Sequence, residues 1–88
     1  MTNNNEKYHI EYYLSKDNKK MLFATLKEDY FNTFFFDKDK NDWVFGGVSF
    51  LEIRKNREVE LVSKEIALSN SNNKRVEDYY EEYFGIVI

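Results

Sequence analysis

Eighty-eight residues, 18% of them aromatic, with a net charge of −3 and neither Cys nor Pro, make one small domain of 1–88. A chain of this size removes roughly 60–70% of its unfolded surface from water, enough for one core, and the lack of Cys excludes disulfides and thiolate metal sites as staples. No stretch nears the roughly 18 consecutive apolar residues of a helical membrane span, and residues 1–7 are too polar for a secretory signal. A cytoplasmic protein is the expectation.

The charge is unevenly placed. Residues 1–75 carry 12 acidic and 13 basic side chains, whereas 76–88 carry Glu77, Asp78, Glu81 and Glu82 and no base. The chain is also rich in Asn and Lys and lacks Pro, a composition common in proteins from AT-rich genomes, including those of bacteriophages and mobile elements.

Residues 1–6 read as a frayed polar arm. In 8–14, Tyr8, Ile10, Tyr12 and Leu14 alternate with His9, Glu11 and Tyr13, the period of a half-buried strand. Ser15, Lys16, Asp17 and Asn18 form a turn, because Asp and Asn tolerate the left-handed region and bond their own backbone. Residues 21–26 give a second strand, apolar on both faces and so central to the sheet. Residues 30–36 admit two readings. As a helix, Leu26, Tyr30, Phe31, Phe34 and Phe35 share a face behind a Thr25-x-x-Glu28 capping box. As a strand, an aromatic run leads through the 37–42 turn into Trp43-Val44-Phe45. The strand is preferred, since the helix would have to stop where Phe36 begins the turn.

Residues 33–53 hold the only Trp, five of the eight Phe and two of the three Gly. They read as a β-hairpin that carries most of the core. Gly46-Gly47 marks a bulge or a close backbone approach, and 48–54 is expected to continue as strand. Residues 59–62 return the chain. Ser63 then either caps a short helix over 64–68 or lies within a longer strand, and 69–73 is a loop by composition. The clearest helix is 74–84, with Asn73 as N-cap and Gly85 as its left-handed stop. At about 100° per residue, Val76, Tyr79, Tyr80, Tyr83 and Phe84 share one side and the four acids the other. Glu77/Glu81 and Asp78/Glu82 repel at i,i+4, each pair costing about 0.2–0.5 kcal/mol, so packing of the aromatic side must hold this helix. The fold class is α+β: an antiparallel β-meander of four to six strands with a C-terminal α-helix packed on one face.

Motifs for chemistry are missing. His9 is the only His, and Ser49 lies in an apolar run without the G-x-S-x-G pattern. The acidic turn 37–42 imitates the start of an EF-hand loop but has Asp42 where Gly belongs and Val48 where Glu belongs. Gly46-Gly47 is no phosphate loop. The four acids on one helix face supply too few convergent ligands for a metal. Neither an enzyme nor a cofactor is expected.

What remains is surplus apolar surface. One helix covers one sheet face, which leaves Tyr13, Phe23, Phe31, Phe35 and Trp43 over, and large apolar patches on small proteins mark contact surfaces. The expectation is a small acidic protein-binding module whose aromatic patch gives affinity and whose Glu77, Asp78, Glu81 and Glu82 steer it onto a basic surface. An occluding inhibitor of a host nucleic-acid-handling defence complex, of anti-CRISPR or anti-restriction type, suits the size and composition. The alternatives are a single-stranded nucleic-acid-binding sheet, with Lys16, Lys19, Lys20 and Lys27 beside the rings, and a homo-oligomeric accessory protein. The near-neutral balance of 1–75 speaks against the nucleic-acid reading.

Overall fold

A computed structural model describes residues 8–27 and 29–87; the polar arm expected over 1–6 lies outside them. The elements run β1 (Ile10–Ser15), β2 (Leu22–Leu26), β3 (Asp29–Asp37), β4 (Asp42–Phe45), α1 (Phe50–Asn56), β5 (Val59–Val62), α2 (Lys64–Ser69) and α3 (Val76–Phe84). The five strands form one antiparallel sheet in the order β4-β3-β2-β1-β5. The α+β class, the meander and the C-terminal helix agree with the sequence reading. β1 to β4 are the meander, and β5 returns to the far edge beside β1.

Local chemistry explains the turns. Asp17 Oδ1 accepts the Lys19 N–H at 3.1 Å and the Ser15 hydroxyl at 2.8 Å, which folds the β1–β2 turn back on itself. Asp37 Oδ1 accepts the Asp39 and Lys40 N–H groups at 2.9 and 3.2 Å, and Asn41 takes φ 55° to close the β3–β4 hairpin. The acidic turn is thus a hairpin device. Residues 30–36 are strand: Phe34, Phe35 and Phe36 pair with Phe45, Val44 and Trp43.

Pleating sorts the side chains into two faces. On the first, Tyr12, Ala24, Phe34 and Phe45 lie in one cross-strand row. With Leu22, Leu26, Phe36 and Trp43 they meet Ala67 of α2 and Val76 and Tyr80 of α3. Their polar tips are satisfied: Trp43 Nε1 donates to the Lys74 carbonyl at 2.9 Å, and the Tyr80 hydroxyl donates to the Asn32 carbonyl. On the second face the row is Leu61, Tyr13, Phe23, Phe35 and Val44.

That second face carries the main correction. Residues 48–54 do not continue as strand; Phe50 to Asn56 form α1. Ser49 is its N-cap, with Oγ accepting the Leu51 N–H at 3.1 Å, and Ser49-x-x-Glu52 is a capping-box signature that the strand reading passed over. Phe50 is fully buried, its ring 4.5 Å from that of Tyr13 and 6.3 Å from those of Phe23 and Tyr30. The chain therefore covers much of the second face by itself. Gly46 makes this crossing possible by close approach. Its N–H donates to the Thr33 carbonyl at 2.8 Å, and a Cβ there would sit 3.3 Å from the same oxygen.

Two capping expectations divide. Ser63 does cap α2, its Oγ accepting the Ile66 N–H at 3.2 Å. Asn73 does not cap α3: it sits at φ 61° in the preceding turn, and Arg75 takes the N-cap position without a side-chain bond. At the other end Gly85, φ 68°, donates to the Glu81 carbonyl at 2.9 Å and stops the helix as expected.

Phe50→Ala is expected to cost about 3–5 kcal/mol, the range for emptying a buried Phe site. Leu51→Ala, 52% exposed on the same helix, should stay within about 0.5 kcal/mol of the parent. Urea denaturation checks both; equal midpoints for the two variants would mean that α1 does not close this face.

Candidate functional site

α3 is the element on which the sequence placed the acidic surface, and its two flanks differ. With Val76 and Tyr80 buried against the sheet, the helical turn angle sends Glu77 towards α2 and Tyr79 and Tyr83 towards the edge strand β4.

Glu77 does not share a solvated face with the other acids. Its side chain is only 11% exposed; Lys64 Nζ of α2 lies 2.8 Å from Oε2 and Arg75 Nε lies 3.9 Å from Oε1. Burial opposes the Glu77 charge, yet the Lys64 hydrogen bond and the charges of Lys64 and Arg75 outweigh it and hold the carboxyl below its ordinary range. The same cluster reaches β1: burial first, then the Glu77 charge, pushes the Tyr12 phenol pKa up. Glu77 thus ties α3 to α2. Asp78, Glu81 and Glu82 are exposed and remain as the outward acids.

Of the five aromatic residues expected at a contact surface, Tyr13, Phe23 and Phe35 share one cross-strand row on the second face, where α1 covers part of them, while Trp43 lies on the opposite face. Trp43 is 3% exposed and belongs to the core, and Phe23, at 4%, lies beneath Phe50. Tyr13 is half-buried against Phe50, and its hydroxyl donates to Glu11 Oε1 at 2.9 Å. Phe35 is half-buried and lines an open groove of about 480 Å³ with Val48, Ile53 and Arg57, between α1 and the sheet. Phe31 stands 72% exposed on β3.

The exposed rings that do converge are ones the sequence assigned to the interior. Phe45 is 43% exposed, Tyr83 58% and Phe84 39%. β4 is the edge strand, and the last turn of α3 packs over Phe34 of β3 and Phe45 of β4. The Phe45 and Phe84 rings meet edge to face at 5.4 Å, and Tyr83 stacks near Phe34 at 6.0 Å. Between β4 and this last turn lies an open cleft of about 510 Å³, with Trp43 and Val44 in its wall and Asp42 and Lys40 also lining it. The Tyr79 hydroxyl donates to Asp42 Oδ1. That bond, then burial and the Asp42 charge, with Glu82 adding to them, pushes the Tyr79 phenol up to about 12. The signal available in the sequence was Gly85, which ends the helix directly after Phe84, combined with a strand of only four residues at 42–45.

Among the described residues no three His, Cys, Asp or Glu side chains are grouped to hold a metal, and no helix is long and apolar enough to cross a membrane. Comparison with protein-family models, curated proteins and solved structures finds no match for this chain.

Glu77→Gln is expected to cost about 1–2 kcal/mol at pH 7, a charge-assisted bond discounted for the half-exposed Lys64. Because the folded pKa of Glu77 lies below its unfolded value, its contribution is complete above the ordinary carboxylate range. It disappears as pH falls through the folded pKa. Stability curves of parent and variant should therefore converge below pH about 4; a gap that stays constant into acid would contradict the ion pair.

Proposed function

We propose that this protein is a small acidic, non-enzymatic protein-binding module that docks on a basic surface and works by occlusion. The observation that carries this reading is the adjacency of the exposed rings Phe45, Tyr83 and Phe84 to exposed carboxylates on α3. The rings supply contact area at small entropic cost, and Asp78, Glu81 and Glu82 supply a one-sign field that favours encounter with cationic partners. α3 carries no base to blunt that field. The Asn- and Lys-rich composition supports extending the proposal to an anti-defence inhibitor of phage or mobile-element origin, of the anti-CRISPR or anti-restriction kind, acting in the host cytoplasm on a nucleic-acid-handling complex.

The single-stranded nucleic-acid reading needs a stacking platform on the second sheet face. Phe23 and Phe50 are buried there and Tyr13 packs against Phe50, so those rings offer little surface to bases.

Two probes separate these readings: an arginine-rich basic protein and a single-stranded oligonucleotide, each titrated at low and at moderate salt. The module is expected to bind the basic protein with an association rate that falls as salt rises. The triple reversal Asp78→Lys, Glu81→Lys and Glu82→Lys should slow it by about tenfold or more while circular dichroism is unchanged. Glu77 is left alone, because reversing it would break its contact with Lys64. An unchanged rate in the triple variant, or micromolar oligonucleotide binding with a steep salt slope, would overturn the proposal.

A further inference from the structure

The cleft between β4 and the last turn of α3 has the features of a site for one particular cation. Its apolar wall is aromatic: Phe45, Tyr83 and Phe84 at the surface, with Trp43 behind them. Aromatic faces attract cations within about 6 Å of the ring centre. One carboxylate lines the cleft: Asp42, held in place by the Tyr79 hydroxyl. A third contribution comes from the backbone: the negative end of the α3 dipole is its C-terminal turn, which carries Tyr83 and Phe84. The one opposing charge that lines the cleft is Lys40, exposed on the β3–β4 turn.

We propose that this cleft receives an arginine side chain of a protein partner. The inference rests on the docking function proposed above and names the group that it recognises. Arginine fits better than lysine for a physical reason. A guanidinium is planar, weakly hydrated and able to stack on a ring while its N–H fork donates to a carboxylate, whereas an ammonium is a compact and strongly hydrated point charge. The cleft presents rings and carboxylate side by side, which uses both properties. The salt dependence of docking then comes from the outward acids of α3, and its side-chain preference from the cleft.

The test uses the full chain and a nine-residue peptide with Arg, Lys, trimethyl-Lys or citrulline at its centre and otherwise uncharged. Trp43 is the only tryptophan and lines the cleft, so its fluorescence reports locally, and two-dimensional NMR maps the contact. The arginine peptide is expected to bind about tenfold more tightly than the citrulline peptide and several-fold more tightly than the lysine peptide. Shifts should centre on Trp43, Phe45, Tyr83 and Phe84. Tyr83→Ala should weaken binding several-fold when measured well below its thermal midpoint, which is expected to drop because the ring also stacks on Phe34; Asp42→Asn should reduce the preference for arginine over citrulline. Equal affinities for the arginine, lysine and trimethyl-lysine peptides would overturn the assignment. So would cleft signals that shift on dilution without peptide, since a second copy of the chain would then be the occupant. Shifts confined to Asp78, Glu81 and their neighbours would overturn the cleft but leave docking on a basic surface standing. No binding of any cationic peptide or of the arginine-rich protein would remove both.

Discussion

The contact on which the rest depends is α3 packed across the ring of Phe34. Phe34 is fully buried in the middle of β3, between Ala24 of β2 and Phe45 of β4. The Tyr80 ring meets it edge-on at 4.8 Å, and Tyr79, Tyr83 and Phe84 surround it at 6.0–6.2 Å. A helix of nine residues is not stable alone in water, and Asp78 and Glu82 repel along its outer side. Its free energy must come from these rings, from the Tyr80 hydroxyl on the Asn32 carbonyl, and from the tie of Glu77 to Lys64. The same docking sets where the helix ends relative to the sheet. That end lies over β3 and the edge strand β4, where Tyr83 and Phe84 stay partly wet.

The opposite face obeys a different constraint. The chain must travel from the β4 edge to the β5 edge, and it does so over the second sheet face. The crossing is used to bury Phe50 against Tyr13 and Phe23. This removes a large apolar surface from water without a partner. It also changes what the aromatic abundance means: most of these rings close two faces of one thin sheet, and Phe45, Tyr83 and Phe84 are left at the β4–α3 rim. Exposed rings and outward acids then sit together on one side of the molecule, around α3 and β4.

Much of this was legible in the residues. Alternation in 8–14, the two-sided apolarity of 21–26, the aromatic hairpin around Asp37 to Asp42 and the Gly85 stop each follow from local physics, and the structure has strands at Ile10–Ser15 and Leu22–Leu26, the hairpin and the stop. Residues 48–54 were misread because Val, Phe, Leu and Ile make the same short apolar run in a strand as in a buried helix turn. The deciding feature was Ser49 with Glu52 three places on. The acidic flank was misjudged for another reason. An end-on view of the helix puts Glu77 with the other acids, but it lies only about 60° from Tyr80 by turn angle, and Lys64 is brought to it by α2, which local sequence cannot show. Gly85 and the short strand at 42–45 hint at the cleft, but exposure of Phe45, Tyr83 and Phe84 depends on which strand lies at the edge, a property of topology rather than of any segment.

The central claim is that Phe45, Tyr83 and Phe84 are wet at the β4–α3 rim, as Phe31 is on β3, and that α1 keeps Phe23 and Phe50 dry on the second sheet face. The most direct measurement is aromatic NMR with a soluble paramagnetic relaxation agent. The account predicts strong broadening of Phe31, Phe45, Tyr83 and Phe84 and protection of Phe23, Phe34, Phe50 and Tyr80. Comparable broadening of Phe23 and Phe50 would contradict it, because α1 would then not be covering the sheet and the spare surface would lie on the other side of the molecule.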